Sequence, residues 1–312
     1  MTYPVSPGWG NLPNGAFSPV IYSQMALKSF RKVSVIPAVT NTDYFGEIAN
    51  YGDSVRIIKE PDVAIQPYSR GQGIVISDLL DEDTTLYVDK GNTFAFQMED
   101  VEAKQTHIDW LAMAADKAAY KIRDAYDTEV LSYMASNAGV TTSLGTTGSP
   151  TTVKKSGGTY TPLDVLAYIA MLFDKNNIPV EDRAVIAPPD FWYLLSDENN
   201  KLLDAKVTGD PKSQIRTGLY NGKMVDGLIR NFSCYQSNNL PSAGTGPLGT
   251  TSSNYGSLIA CHKSAVATAS QIAKTENFRS PTTFADVVRG LHIYGRKVLR
   301  SEALAVCYWN QG

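Results

Sequence analysis

Between Gly52 and Ala138, apolar and polar positions set two elongated elements end to end. Val55-Arg-Ile-Ile58 and Val63-Ala-Ile65 form one broken extended run. Ile74-Val-Ile76 and Thr85-Leu-Tyr-Val88 form its return, with Gly71 and Gly73 at the turn. A further strand, Thr93–Met98, places Phe94, Phe96 and Met98 on one side of a two-residue period. Glu99 and Asp100 then open a helical pattern that meets no Pro or Gly until Gly139, with Glu99, Asp100 and Glu102 at the positive end of the helix dipole. Within it, Ile108, Leu111, Ala115, Ala118, Ile122 and Ala125 mark one apolar stripe, and Ala112, Ala119, Tyr126, Val130 and Tyr133 widen it.

Magnitudes decide what these elements imply. A compact domain of this length has a radius of gyration of about 20 Å. A helix over 100–137 is about 57 Å long, and an extended arm over 55–66 reaches about 40 Å. An isolated two-stranded ribbon of that length is not stable alone. The expected molecule is therefore flat and extended, with its ribbon lying on a neighbouring copy.

The remaining pattern is mixed α+β with long loops. Residues 1–17 are rich in Gly, Pro and Asn and read as an arm; Ser18-Pro19 caps a short helix over Val20–Arg31, and Val33–Ile36 reads as a strand before Pro37. Gly139–Tyr160, rich in Thr, Ser and Gly, reads as a surface excursion. A helix over Leu163–Asn176, a strand over Arg183–Ala187 and a helix from Pro188-Pro189-Asp190 follow. Asn221-Gly222 marks a hairpin between Ile215–Tyr220 and Lys223–Ile229. Beyond a loop over Asn238–Ser253, the reading is a strand over Gly256–Cys261, a helix over Ser264–Ala273, and closing strands over Ala285–Tyr294 and Glu302–Trp309.

Composition and candidate chemistry narrow the function. The 312 residues are 43% apolar and 19% charged with a net charge of −3, enough for one large or two modest cores and not a general polyanion binder. Cys234, Cys261 and Cys307 read as buried reduced thiols of a cytoplasmically made chain. The first ten residues lack a secretory pattern, and no apolar run approaches the roughly 20 residues of a membrane span. Gly244-Thr-Gly-Pro-Leu-Gly249 matches a dinucleotide fingerprint only formally, because a polar loop follows it instead of a helix. His107, His262 and His292 lack zinc spacing, and no nucleophile-elbow pattern occurs. Asp78, Asp81, Glu82 and Asp83 lack calcium-loop spacing and read as a solvated or subunit-pairing face. Arg289, Arg296, Lys297 and Arg300 form the densest basic cluster; facing DNA and pairing with acidic groups of another copy are both open, and pairing is favoured. No catalytic residue, cofactor or metal is expected.

The order of several segments resembles the major capsid protein of tailed bacteriophages, the Hong Kong 97-like fold, and within it the podovirus-type coat proteins. The segments are Gly52-Asp-Ser-Val-Arg-Ile57, Asp89-Lys90 before Phe94-Ala-Phe96, and Asp100-Val-Glu-Ala-Lys-Gln105. Asp226-Gly-Leu-Ile229, Ser237-Asn-Asn-Leu-Pro241 and Arg289-Gly-Leu-His-Ile-Tyr-Gly-Arg-Lys-Val-Leu299 complete the series. The resemblance implies an N-terminal arm over 1–52, an extended loop (β-ribbon) over 53–98, and a spine helix with peripheral domain over 99–159. It further implies an axial domain over 160–275 and peripheral return strands over 276–312. It implies a non-enzymatic shell subunit forming pentamers and hexamers around double-stranded DNA, partnered by scaffolding and portal proteins, assembled in the host cytoplasm and located in the virion. Arg56, Lys59, Arg70, Asp78, Asp81, Glu82, Asp83, Arg296 and Arg300 are the candidate intersubunit contacts. Some members of this family weld subunits through a ribbon lysine; Lys59 and Lys90 lie in or beside the ribbon, but no partner asparagine or acid can be assigned, so no crosslink is expected. The alternatives are an encapsulin-type nanocompartment shell enclosing protein cargo and, further off, an enzyme.

Overall fold

The computed structural model describes residues 32, 34–44, 54–58, 60–61, 63, 65, 67, 70–71, 73, 83–105, 110–140, 145–154, 160–195, 219–220, 223–244 and 254–311. The chain runs through a helical turn α1 (Ile36–Val39), strands β1 (Ser54–Ile58), β2 (Asp83–Tyr87) and β3 (Lys90–Glu99), and helices α2 (Asp100–Gln105) and α3 (Trp110–Ser136). It continues through β4 (Thr151–Val153), α4 (Pro162–Lys175), β5 (Arg183–Ala187), α5 (Pro189–Leu195), β6 (Leu219–Tyr220), β7 (Lys223–Ile229), β8 (Phe232–Gln236) and β9 (Ser242–Ala243). The closing strands are β10 (Tyr255–His262), β11 (Val266–Arg279), β12 (Ala285–Val298) and β13 (Leu304–Gln311).

An eight-stranded sheet carries the main core, in the order β4-β13-β10-β5-β8-β7-β6 with β9 on β10. Its centre is β5, whose five residues are all buried, as an unbroken Ala-Val-Ile-Ala run covered on both faces requires. Arg183, which opens that strand, is buried because its donors are used: to Pro179 O at 2.8 Å, Ile178 O at 2.6 Å and Asp174 Oδ1 at 2.8 Å. Helix α4 begins in a capping box, with Thr161 accepting from the Asp164 N–H and the Asp164 carboxylate accepting from the Thr161 N–H; such caps contribute about 1 kcal/mol. Its buried side, Val165, Leu166, Ile169 and Phe173, joins Phe191 and Leu194 of α5 and Trp309 of β13 in one cluster.

A second sheet, β11-β12-β3, is three antiparallel strands. Half-buried and exposed residues alternate along β3, in phase with the Phe94, Phe96, Met98 period. Phe94 lies opposite Gly290, where a Cβ would sit 2.1 Å from the Phe94 ring. Glycine there makes room for the aromatic ring. A separate two-stranded ladder pairs β1 with β2, from Ser54↔Tyr87 to Ile58↔Asp83, and forms the base of the ribbon.

The ribbon base crosses the three-stranded sheet at one narrow place. Leu86 is fully buried there against Ala267 and Ala269, with Val55, Ile57, Val88 and Leu299 around it. Gly295 pairs with Ala269, and a Cβ on it would lie 2.3 Å from the Tyr87 carbonyl oxygen. This crossing explains why residues 266–273, in the segment expected as a helix, are strand, after a 3-10 turn over Lys263–Ala265. Alanines 267 and 269 are small because another strand lies over them, and pairing with β12 from Val266↔Val298 to Arg279↔Asp286 overrides the helix preference of alanine.

Other expectations change too. Val33–Ile36 is not a strand over its described residues: Pro37 sits in the first turn of α1, where its missing N–H costs nothing. The 139–160 excursion supplies an edge strand, β4, parallel to β13, with Val153 fully buried. Residues 276–312, expected as one return to the peripheral sheet, divide between two sheets: β12 lies in the three-stranded sheet and β13 beside β10 in the eight-stranded one. The boundary at 275 falls inside β11. The long helix is described as α2 and α3, and 106–109 lie outside the described residues, as do the Val20–Arg31 helix and Ile74–Ile76. Val63 and Ile65 carry no strand.

Gly295→Ala forces the ribbon base off β12. We expect a loss of about 1–3 kcal/mol, typical of overpacking, read as a lower urea midpoint at unchanged slope; wild-type stability would show that the two strands do not approach so closely.

Candidate assembly surfaces

Helix α3 spans about 40 Å at 1.5 Å per residue, yet among its described side chains the buried ones, Asp127, Val130, Leu131, Met134 and Ala135, all lie between Asp127 and its end at Ser136. Along the expected stripe, Ala115, Ala118 and Ile122 are half-buried and Ala125 is exposed. Ala112 and Ala119 of the widening stripe are exposed as well, and the side chains of Ile108 and Leu111 lie outside the described residues. The buried face is thus the C-terminal end of the predicted one.

The last turns of the helix are buried in the main core, while its flank is tied to the three-stranded sheet by Arg296. Its guanidinium, 11% exposed, pairs with Glu129 of α3 and lies 3.6 Å from Asp89, and it stacks 4.5 Å from the Tyr133 ring centroid. Beside it, Tyr126 of α3 meets His292 and Tyr294 of β12 edge-on, at 5.6 and 4.8 Å. Burial pushes the Tyr126 phenol up to about 12 and lowers the His292 imidazole, whose Nε2 lies 3.0 Å from Ser270 Oγ.

Large apolar side chains stand in solvent at Met171, Val180 and Tyr193, and in groups at two further places. In the ribbon, Ile58 is 80% and Ile65 95% exposed, with Val63 and Tyr87 also exposed. At the far end of the three-stranded sheet, Phe284 (82%) and Val101 stand together, joined by the Asp100 N–H donating to the Phe284 carbonyl. Arg279 pairs there with Asp100 and lies 3.5 Å from Asp286. Lys274 and Arg289 on Glu276 hold its carboxyl down to about 2. Contiguous exposed apolar groups rimmed by charge mark interaction surfaces.

The expected contact residues separate. Arg56 and Asp83 pair with each other across β1 and β2 at 3.4 Å, an exposed contact contributing little by itself. Arg70 lies in a turn with Gly71, whose φ of +91° is the left-handed conformation glycine permits. Lys59, Asp78, Asp81 and Glu82 lie outside the described residues. Arg300 is exposed just past β12, and its N–H donates to the Ala265 carbonyl. Arg296, expected to face another copy, instead turns inward, because Glu129 and Asp89 of its own chain supply the carboxylates. Glu129 and Gly295 were missed: each matters through a long-range contact that no local spacing announces.

For catalysis the geometry offers little. Burial pushes the Cys234, Cys261 and Cys307 thiols up to about 12, so none supplies a thiolate near neutrality. Among the described residues, no group of three His, Cys, Asp or Glu side chains converges as a metal site. Gly244 has a φ of +66° in a turn after β9, and 245–249 lie outside the described residues.

The arrangement of ribbon, long helix, three-stranded sheet and eight-stranded sheet is that of phage capsid shells. The chain matches a structure from Mycobacterium phage Che8 at TM-score 0.75 and 24% identity, over 93% of this chain and 97% of that one. It matches the capsid structure of cyanophage P-SCSP1u at 0.71 and 17%, over 95% and 94%. The capsid of Ralstonia phage GP4 matches at 0.64 and 12%, over 94% and 96%. No curated protein matches. These likenesses establish the Hong Kong 97-like α+β fold. Residues 81–308 match the family model "Phage capsid protein", and the chain belongs to that family. It is a major capsid protein of a bacteriophage, a structural component of the virion that self-assembles into a shell.

Arg296→Ala leaves Glu129 without its cation. We expect a loss of about 2–3 kcal/mol, below the 3–5 typical of a fully buried pair because Glu129 keeps a third of its surface. A double-mutant cycle with Glu129→Gln should return a coupling above about 1 kcal/mol; additive losses would show that the two do not act together.

Proposed function

We propose that this subunit joins pentamers and hexamers through its ribbon, and that the shell encloses double-stranded DNA after assembly in the host cytoplasm with separate scaffolding and portal proteins. The carrying observation is the exposed apolar ribbon, Ile58, Val63, Ile65 and Tyr87, on a base locked to the chain's own sheet. A locked base with a bare outer part supports docking on an adjacent copy. DNA is held without sequence readout in this reading; net charge is −3, and the basic residues Arg279, Arg289 and Arg296 have acidic partners within the chain. A capsid-family match over most of the chain favours a phage head over a nanocompartment with protein cargo. The podovirus-type branch rests on the sequence resemblance alone.

In domain terms, we assign residues 1–52 to the arm and 53–98 to the extended loop and β3. The spine and peripheral part comprise α2, α3, β11 and β12, and the axial part is the eight-stranded sheet with α4 and α5. Arg70, at the ribbon turn, is the group we assign to a carboxylate of the neighbouring copy, since a guanidinium suits a bidentate bond. Arg70→Glu should leave the free subunit's circular dichroism and melting unchanged while closed particles fail to form at low salt, a defect that high salt relieves in part by screening the like charges. About 1 kcal/mol per site, repeated around a shell, suffices for this. Unfolding of the free subunit, or normal particles of unchanged stability, would refute the assignment.

A further inference from the structure

The segment that enters α1 is fastened to α3 by an unusual joint. Asp127, on the buried side of α3, is 2% exposed. Its carboxylate accepts from Ser34 Oγ at 2.8 Å and from the Val35 N–H. Both donors are neutral. Lys32 is committed elsewhere: its Nζ lies 3.3 Å from Asp124 Oδ1 and 2.6 Å from Asn239 Oδ1. Asn239 donates in turn to Asp124 Oδ1 at 2.7 Å, and Asp124 stands one turn from Asp127 as a like charge. A cavity of about 390 Å³ adjoins the two acids, and its other charged or titratable lining groups among the described residues are Asp116, Tyr120 and Arg123, all of α3. Among the described residues of the entry segment that line it, Lys32 is the charged one, and the 237–240 loop brings the neutral Asn239.

We propose that this joint is a proton-controlled latch: with Asp127 protonated the segment around Ser34 and Val35 is held tightly on α3, and with Asp127 ionised it is loosened. An ionised carboxylate shut from water with two neutral donors and a like charge nearby is unfavourable, whereas opening the joint hydrates it. Burial, opposed by the Ser34 and Val35 bonds and reinforced by Asp124, raises the Asp127 carboxyl from 3.8 to about 6. The closed form therefore binds the proton more tightly than the open form. Its stability is fully present below the open-state value near 3.8, declines as pH rises from there to about 6, and stays at the lower level above. Those two values translate into an opening equilibrium about tenfold larger at pH 7.5 than at pH 5.

Hydrogen exchange of the full-length chain, corrected for the intrinsic rate, reads this directly at the Val35 amide. Protection should fall about tenfold between pH 5 and pH 7.5 in the wild type. In Asp127→Asn it should be flat across that window, and in Asp124→Asn the fall should shrink but remain. Flat wild-type protection, or an unchanged slope in Asp127→Asn, would overturn the latch. The wild-type measurement decides the matter even if the Asp127 variant does not fold.

Discussion

The last turns of α3 are buried in the main core beside the eight-stranded sheet, so its flank needs a separate tie to the three-stranded one. Arg296 supplies that tie. Its strand β12 is the middle strand of the sheet, Glu129 projects from α3, and Asp89 ends the turn that brings the ribbon back into β3. One guanidinium thus joins the three parts of the molecule that must keep a fixed geometry in a shell: sheet, long helix and ribbon root. The neighbouring crossing, where Leu86 presses on Ala267 and Ala269 under the Tyr87 carbonyl, sets the direction in which the ribbon leaves.

The eight-stranded sheet closes its own core, from Ile36 through Phe173 to Trp309. Among the described residues, Ile58, Val63, Ile65 and Tyr87 of the ribbon, Ala112, Ala119 and Ala125 of α3, and Phe284 and Val101 are exposed. Burying a single large apolar side chain stabilises by about 1.5–3 kcal/mol, so covering these surfaces with other copies is a strong and repeated driving force. A subunit built this way keeps its fold alone and finds its remaining contacts in the assembly.

Legibility in the sequence followed the range of the interaction. The alternation of β3, the helix over Leu163–Asn176 behind Pro162, the apolar run of β5 and, over its described residues, the hairpin at Asn221-Gly222 are local patterns, and each stands close to where the pattern puts it, while the Thr161 cap went unread. The alanines of 264–273 misled, because small residues serve a crossing strand as well as they serve a helix. Arg296 misled for the opposite reason: an arginine on a closing strand looks like a surface charge until Glu129 and Asp89 arrive from distant sequence. On α3 the apolar stripe was visible, but which part of it the chain itself buries depends on where the helix leaves the sheet. Of the contact candidates, the Arg56–Asp83 pair was legible as charged ribbon but not as one intrachain bond.

The apolar surfaces left bare by one copy are covered by others, and electron cryomicroscopy of particles formed by this chain can see that cover. Particles should be closed icosahedral shells in which Ile58, Ile65 and Phe284 of each copy are buried against adjacent copies. A chain that stays monomeric at high concentration in the presence of its scaffold, or a shell in which those three side chains face solvent, would contradict it.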